Sequence, residues 1–391
     1  MTNPRAEAAR LGANAVDLLP EGALAEQLAE GRPLRVKFGI DPTAPDIHLG
    51  HCVALRKLRE FQDAGHLVVL IIGDFTARVG DPSGRSAQRP VLTPAETDAN
   101  ARTFQEQAFK VLDSDPERIE VRFNGEWLRM EPEKLLGLLG RTTVARLLER
   151  EDFRARMEAE KPVSALELLY PILQGYDSVE IESDLEVGGT DQKFNLLFAR
   201  DVQEWFDKPP QSILTMPILP GTDGVQRMSK SAGNYIGVTE PPEEMFGKVM
   251  SIPDAAMADY YRLLLGEGLD GDLPPNEAKR ALARRLVAVF HEEAAARAAE
   301  EHFDRLHVHR EVPEEVEEVS VSANGPIHLP ALLADGFGIS RSEARRLIGQ
   351  GGVRIDGRVV APEQLDLAPE ELDGAVLQVG RRRHKRVRLD G

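Results

Sequence analysis

The chain reads as an α/β protein built on a doubly wound parallel sheet, followed by a helical segment and a small α+β unit. Three observations lead there. From Leu34 to about Ile236, strand-like runs alternate with helical ones, as a sheet covered on both faces requires. Val36, Phe38 and Ile40 alternate along one strand, a helix with Cys52, Leu55, Leu58 and Phe61 at every third position follows, and Leu67 to Ile72 is an unbroken apolar run. In the tail, a capped helix, a glycine cluster and an Asp-Gly turn succeed one another.

In chain order, residues 1–32 form a helical lead-in and 1–236 a first domain. Inside it lies a helix-rich stretch at about 115–162. Its Leu135, Leu136, Leu138, Leu139, Val144, Leu147 and Leu148 are too apolar for a solvated insertion, which leaves local core or a pairing surface. Residues 237–310 are helical: Pro274-Pro275-Asn276 supplies a stop and an N-cap before Leu282, Leu286 and Phe290. The acidic stretch 311–325 is a linker or edge segment, and 326–391 is a separate small domain. There Ser340-Arg341-Ser342-Glu343 is a capping box, Gly349, Gly351 and Gly352 end the helix, and Asp356-Gly357 turns a hairpin.

The composition, 42% hydrophobic and 29% charged over 391 residues, is that of a globular protein of two or three domains. No apolar run approaches the ~20 residues of a membrane helix, and Met1 to Arg10 lacks the apolar core of a secretory signal, so a cytoplasmic location with no membrane partner is expected. The single cysteine, Cys52, lies on the apolar face of its helix and reads as a small buried hydrophobe. A net charge of −17 argues against general nucleic-acid binding, but residues 326–391 carry 11 Lys/Arg against 9 Asp/Glu while the rest carries −19. Any RNA would therefore meet selected patches.

The most informative stretch is Gly39-Ile40-Asp41-Pro42-Thr43-Ala44-Pro45-Asp46-Ile47-His48-Leu49-Gly50-His51, which joins the first strand to its helix. Ligands of parallel sheets sit beyond the carboxyl ends of the strands, where a helix N-terminus offers free N–H groups to a phosphate. Gly50 leaves the backbone bare for a nucleotide, and His48 and His51 add imidazole donors. A His-x-x-His pair could also be a metal half-site or a capping pair. Catalytic zinc wants three protein ligands, and no Glu or Cys cluster is near, so no metal site is expected. Downstream, Arg227-Met228-Ser229-Lys230-Ser231 lies in the turn-rich loop from Gly221 to Asn234. With both motifs in this order, the chain resembles the class I aminoacyl-tRNA synthetases, HLGH standing for HIGH and RMSKS for KMSKS.

Two further blocks narrow the resemblance: Asp74 to Arg85 after the apolar strand, and Tyr170-Pro171-Ile172-Leu173-Gln174-Gly175-Tyr176-Asp177 before Val187-Gly188-Gly189-Thr190-Asp191-Gln192. Together with a tail similar to the S4 RNA-binding module, they make the chain resemble the bacterial-type tyrosyl-tRNA synthetases along nearly its whole length. The related tryptophanyl enzymes usually carry Asn in place of His51 and lack the tail. The resemblance implies a Rossmann-like catalytic domain with a dimerisation insertion at 115–162, a helical domain that meets the tRNA anticodon region, and an S4-like domain. It also implies a homodimer.

By resemblance, His48, His51, Arg227 and Lys230 are catalytic. ATP, carrying Mg2+, would meet Gly39, Asp41, Thr43, His48, Gly50, His51, Gly189, Asp191, Met228, Ser229, Lys230 and Ser231. L-Tyrosine would meet Lys37, Thr76, Asp81, Tyr170, Gln174, Asp177 and Gln192. In the tail, Arg341, Arg345, Arg346 and Arg354 would face RNA phosphates, with tRNA(Tyr) the partner. Tyr170, Gln174 and Asp177 are spaced to share one helical face, and a buried acceptor such as Asp177 penalises a ring without a hydroxyl. Two positions depart from the pattern. Lys37 stands where many relatives place a tyrosine beside the phenol pocket, and Arg227 replaces the first Lys of KMSKS, a planar fork in place of a point charge. A small-molecule nucleotidyltransferase would need no RNA-binding tail, and an RNA-binding protein without catalysis would need no phosphate loops.

Overall fold

Strands β1 (Asp17–Leu19), β2 (Arg35–Ile40), β3 (Leu67–Ile72), β4 (Ile119–Phe123), β5 (Leu185–Gly189) and β6 (Ser212–Met216) form one sheet in the order β1-β6-β5-β2-β3-β4. This computed structural model describes residues 3–42, 45–83, 93–307, 317–322, 325–380 and 383–390. Strands β2 to β6 pair in parallel, and β1 runs antiparallel along β6. The chain steps from β2 outward through β3 to β4, then returns to β5 on the other side of β2. That reversal creates the crevice in which such sheets bind ligands.

The apolar patterns account for these elements. Leu67–Ile72 is buried on both faces, which an inner parallel strand demands. Helix Leu49–Asp63 buries Cys52, Leu55, Leu58 and Phe61 against the sheet, and burial pushes the Cys52 thiol well above its ordinary range, so it stays protonated. Helix Ala165–Glu180 begins at a reciprocal cap in which Ser164 and Glu167 serve each other's backbone.

The structure refines three expectations. The lead-in is not wholly helical, because it supplies β1. The stretch 115–162 opens with β4, a sheet strand, before turning helical. Its leucines also divide: Leu138 and Leu147 join a core with Trp127, Tyr176 and Phe198, whereas Leu136 and Val144 stay more than half exposed. In the helical segment, helix Pro275–Phe290 follows Pro242–Ser251 and precedes Glu293–His307. Its cap is Pro274 with Pro275 at the first turn, and Asn276 lies inside the helix.

Met1–Glu300 and Glu301–Gly391 are two compact units. The second contains β7 (Glu318–Ser322), β8 (Ile327–His328), β9 (Val353–Ile355), β10 (Arg358–Val359), β11 (Asp366–Leu367), β12 (Val376–Val379) and β13 (Arg383–Asp390). Five of these form a sheet in the order β10-β9-β12-β13-β7, and β8 pairs with β11. The acidic stretch therefore includes an edge strand, β7, parallel to β13. Asp356 and Gly357 both have positive φ, 47° and 79°, which the tight hairpin between β9 and β10 requires. The Ser340 hydroxyl accepts from the Glu343 N–H at 3.1 Å, so half of the expected capping box forms.

One buried lysine ties the lead-in to the site-bearing helix. The Lys57 ammonium donates to the carbonyls of Leu11 (3.0 Å) and Ala13 (2.9 Å) and pairs with Glu60. Lys57→Met would orphan two carbonyls, at about 1–3 kcal/mol each. The expected result is a lower urea midpoint for the first unfolding transition; an unchanged midpoint would show that water satisfies them.

Candidate active site

A cavity of about 500 Å³ opens beyond the carboxyl ends of β2, β3, β5 and β6. Gly73 lets the ends of two strands converge there: a Cβ on it would lie 2.1 Å from Asp41 Oδ1 and 2.3 Å from Thr76 Oγ1. The cavity has two chemically different ends.

The first end joins the two motifs. His48 caps helix Leu49–Asp63, and its backbone faces Gly237 in an isolated antiparallel bridge. Leu49 donates to the Ile236 carbonyl (2.9 Å) and Val238 to that of Ile47 (3.0 Å). The His48 and His51 rings stack at 3.9 Å. His51 Nδ1 accepts from the His48 N–H at 3.3 Å, which leaves its Nε2 as the donor. Burial, then the neighbouring His51, Lys230 and Arg227, push His48 down to about 2, so it is neutral. Its Nδ1 is buried without a partner. A neutral imidazole gives one donor, so the pair offers one N–H from each ring.

The RMSKS loop is clamped on this end. Gly50 N–H donates to Met228 Sδ at 3.3 Å. What a Cβ on Gly50 would meet first is the His48 ring at 3.0 Å, and then Met228, so this glycine serves motif-to-motif packing. Lys230 Nζ donates to the Asp46 carbonyl and lies 3.8 Å from its carboxylate; burial lowers the Lys230 pKa. Arg227 pairs with Asp191 at 3.2 Å. Burial, then the Asp81 charge, raise the Asp191 carboxyl, and Arg227 opposes them. Ser229 and Ser231 exchange a hydroxyl hydrogen bond at 3.3 Å. Asn234 staples the loop: it accepts from Ser229 N–H (2.9 Å), donates to Asp223 (2.8 Å), and its carbonyl accepts from Thr222 (2.9 Å).

The second end is a polar pocket. Tyr170 OH donates to Asp41 Oδ2 at 2.9 Å, and Thr76 OH to Asp41 Oδ1 at 2.8 Å. Burial, then Asp41, hold the Tyr170 phenol well above its ordinary pKa. Gln192 donates to Asp81 (2.7 Å), and Asn195 donates to Gln174 (2.9 Å) and Gln192 (3.2 Å). Arg150 orients Asn195 at 2.5 Å. Deepest lies Asp177, whose carboxylate accepts from Trp127 Nε1 (2.8 Å) and Asn124 Nδ2 (3.3 Å). Burial raises it to about 7, against the opposing charge of Lys37.

The expected residues therefore assemble, with three adjustments. Asp41, assigned to ATP, is bonded to Tyr170 and Thr76 of the expected tyrosine set. Lys37 is fully buried and bonded beneath the cavity, which it does not line. Thr43 lies outside the described residues, as do Gly84 and Arg85. Gly39, Gly189, Met228, Ser229 and Ser231 all line the cavity. The motifs did not point to Trp127, Asn124, Asn195, Arg150 or Glu186. Asn195 alone carried a signal, one helical turn beyond Asp191.

In the second unit, Arg341, Arg345 and Arg346 are exposed on helix Arg341–Gly349. Arg354 does not join them. It alternates with core-facing Val353 and Ile355, and so lies on the opposite face of the sheet. Arg386 and Arg388, flanking buried Val387, share the face of Arg354; the sequence run held them without placing them.

Comparison with known proteins agrees with this architecture. The family described as tRNA synthetases class I (W and Y) matches residues 29–308, and the S4 domain matches 329–365. The chain belongs to the class I tRNA synthetases of this W and Y family. It is 48% identical to the tyrosine–tRNA ligase of Thermotoga maritima over 397 residues, covering 98% of both chains. It is 49% identical to that of Moorella thermoacetica, over 95% of this chain and 93% of the relative. Among solved structures, the tyrosyl-tRNA synthetase of Archaeoglobus fulgidus complexed with L-tyrosine matches 76% of this chain and 99% of its own. Its TM-score is 0.62 at 23% identity, a likeness of fold.

Asn234→Ala should free the clamped loop. Amide exchange at Ser229 and Thr222 is expected to speed up, with β3 unchanged; equal protection in the variant would show that Met228 and Lys230 suffice.

Proposed function

We propose that the protein attaches L-tyrosine to tRNA(Tyr) in two ATP-dependent steps. The observation that carries this reading is Asp177, an acceptor buried at the closed end of the cavity and held by Trp127 and Asn124, with the two phosphate motifs at the open end. The relatives named as tyrosine–tRNA ligases support it.

In the first step the tyrosine carboxylate attacks the α-phosphate of ATP, forming tyrosyl-adenylate and releasing pyrophosphate. The substrate is its own nucleophile, so the protein contributes position and charge. Asp81, Tyr170 and Gln174 hold the ammonium, Gln192 sits by the carboxylate, and Asp177 accepts from the phenol. Gly189 and Asp191 take the ribose. His48 and His51 donate to phosphate oxygens, and Lys230 with Arg227 holds the leaving pyrophosphate. Mg2+ would arrive on the phosphate oxygens of ATP, as part of that substrate. In the second step the tyrosyl group passes to the terminal ribose of tRNA.

The helical segment 237–310 would meet the anticodon region, and Arg341, Arg345 and Arg346 the RNA backbone. Exposed Leu136, Val144 and Met157 support a homodimer through the helices after β4. Among the described residues no helix is long and apolar enough to cross a membrane. A translation enzyme of this kind would work in the cytoplasm.

Pyrophosphate exchange tests the function directly: it is expected with ATP and L-tyrosine, without tRNA. Exchange with tryptophan alone would assign the chain to the sister enzymes, and exchange with neither would overturn the reading. Lys230→Ala is expected to slow single-turnover adenylate formation by about 10²–10³, with tyrosine affinity retained; an unchanged rate would give the loop another role.

The tail can be tested by ending the chain at His307, because a cut at 326 would strand β7 without its sheet. Adenylate formation should persist while tRNA charging falls, since every residue assigned to ATP or tyrosine precedes Ala232. A joint loss would make the tail a stability element, and no loss in either would remove its RNA role.

A further inference from the structure

At the cavity floor lies a buried ion pair to which the proposed reaction gives no role: Glu186 lines the cavity and Lys37 lies behind it. Lys37 on β2 and Glu186 on β5 are adjacent in register and essentially inaccessible. The Lys37 ammonium lies 2.9 Å from Glu186 and donates to the Gln174 carbonyl (2.8 Å) and the Ser178 hydroxyl (2.7 Å). Glu186 accepts in turn from the Gln174 side chain (3.0 Å) and from Gln211 (2.5 Å). Gln174 and Ser178 flank Asp177 on helix Ala165–Glu180. The pair therefore grips the turn of helix that carries Asp177, and it grips Gln174 by both backbone and side chain.

We propose that Lys37 is a positioning residue that sets the preference for tyrosine over phenylalanine, acting through Asp177 by fixing its helical turn and keeping its carboxylate an acceptor. This rests on the reading that Asp177 receives the phenolic hydroxyl. Two carboxylates, Asp177 and Glu186, are buried around one lysine. Like charges so placed do not both ionise without a compensating cation. Around Asp177, Lys37 supplies positive charge, Glu186 negative charge, and Trp127 and Asn124 neutral donors; Asp41 and Asp81 are further anions, grouped at the Tyr170 hydroxyl. A protonated Asp177 would turn a donor toward the phenol and lose the charge that favours an O–H. Because burial raises Asp177 to about 7 even with Lys37 present, its charge is lost as pH falls through about 7 and is retained above it.

The test is the dissociation constant of L-tyrosine and of L-phenylalanine, measured from pH 6 to 9 on the full chain. Wild type, Lys37→Met, the charge-neutral double variant Lys37→Met/Glu186→Gln, and Asp177→Asn are compared. In wild type, tyrosine affinity should fall below about pH 7 while phenylalanine affinity stays level. In Lys37→Met the midpoint should move up by about one unit, a tenfold effect below both midpoints and about threefold between them; in the double variant, which also loses the Glu186 charge that raises Asp177, it should move up by less. Affinity should recover toward pH 9, which a misfolded protein would not do. If Lys37→Met keeps the wild-type midpoint and tyrosine-to-phenylalanine ratio, Lys37 only fills space and the inference fails. If Asp177→Asn itself keeps that ratio, the underlying reading of Asp177 fails, whatever Lys37 does.

Discussion

Two backbone hydrogen bonds, Leu49 to Ile236 and Val238 to Ile47, join segments that the sequence holds far apart. The rest of the site depends on this splice. It sets the start of helix Leu49–Asp63 beside the end of the RMSKS loop, so that Gly50 meets Met228 and Lys230 reaches Asp46. The reading of His48 as a neutral donor follows as well, because the ring is desolvated by the same closure and repelled by the loop's two cations. Backbone pairing suits the task. It fixes position without using the side chains that the proposed function assigns to phosphate.

The electrostatics of the two ends differ in kind. At the motif end, Arg227 and Lys230 rest on carboxylates of the site itself, Asp191 and Asp46, at distances of 3.2 and 3.8 Å. Partly exposed pairs of this sort hold weakly, which leaves both cations exchangeable for the phosphate charge that the proposed function assigns to them. At the closed end Asp177 is buried and Asp41 and Asp81 are half-buried, and each is met by donors: Asp41 by Tyr170 and Thr76, Asp81 by Gln192, Asp177 by Trp127 and Asn124. Pre-aligned partners of this kind let a pocket read a small polar substrate, because a ligand lacking the right group leaves them unpaired.

The parts of this arrangement that are local in sequence were legible there. The alternation of Val36, Phe38 and Ile40, the helical spacing of Cys52 to Phe61, and the Asp-Gly turn each encode an element within a few residues. HLGH and RMSKS stood out by residue type and by their setting at a sheet edge, and they meet at one end of the cavity. What escaped was set by long-range pairing. Nothing near Lys37 announces that it would lie beside Glu186, and nothing near Trp127 points to Asp177, since strand order decides both. Arg354 was grouped with the helix arginines by resemblance to the S4 module, but a strand residue alternating with core positions faces the other way. The acidic stretch before the tail read as a linker or an edge because its charges hide the Val319 and Val321 alternation of β7.

The most direct test of the account is a crystal structure of the full chain with a non-hydrolysable tyrosyl-adenylate analogue. The phenolic oxygen should lie within hydrogen-bond distance of Asp177, the ribose near Asp191, and the phosphate mimic between the His48–His51 pair and Lys230. A ring bound away from Asp177, or a phosphate mimic remote from both motifs, would contradict it.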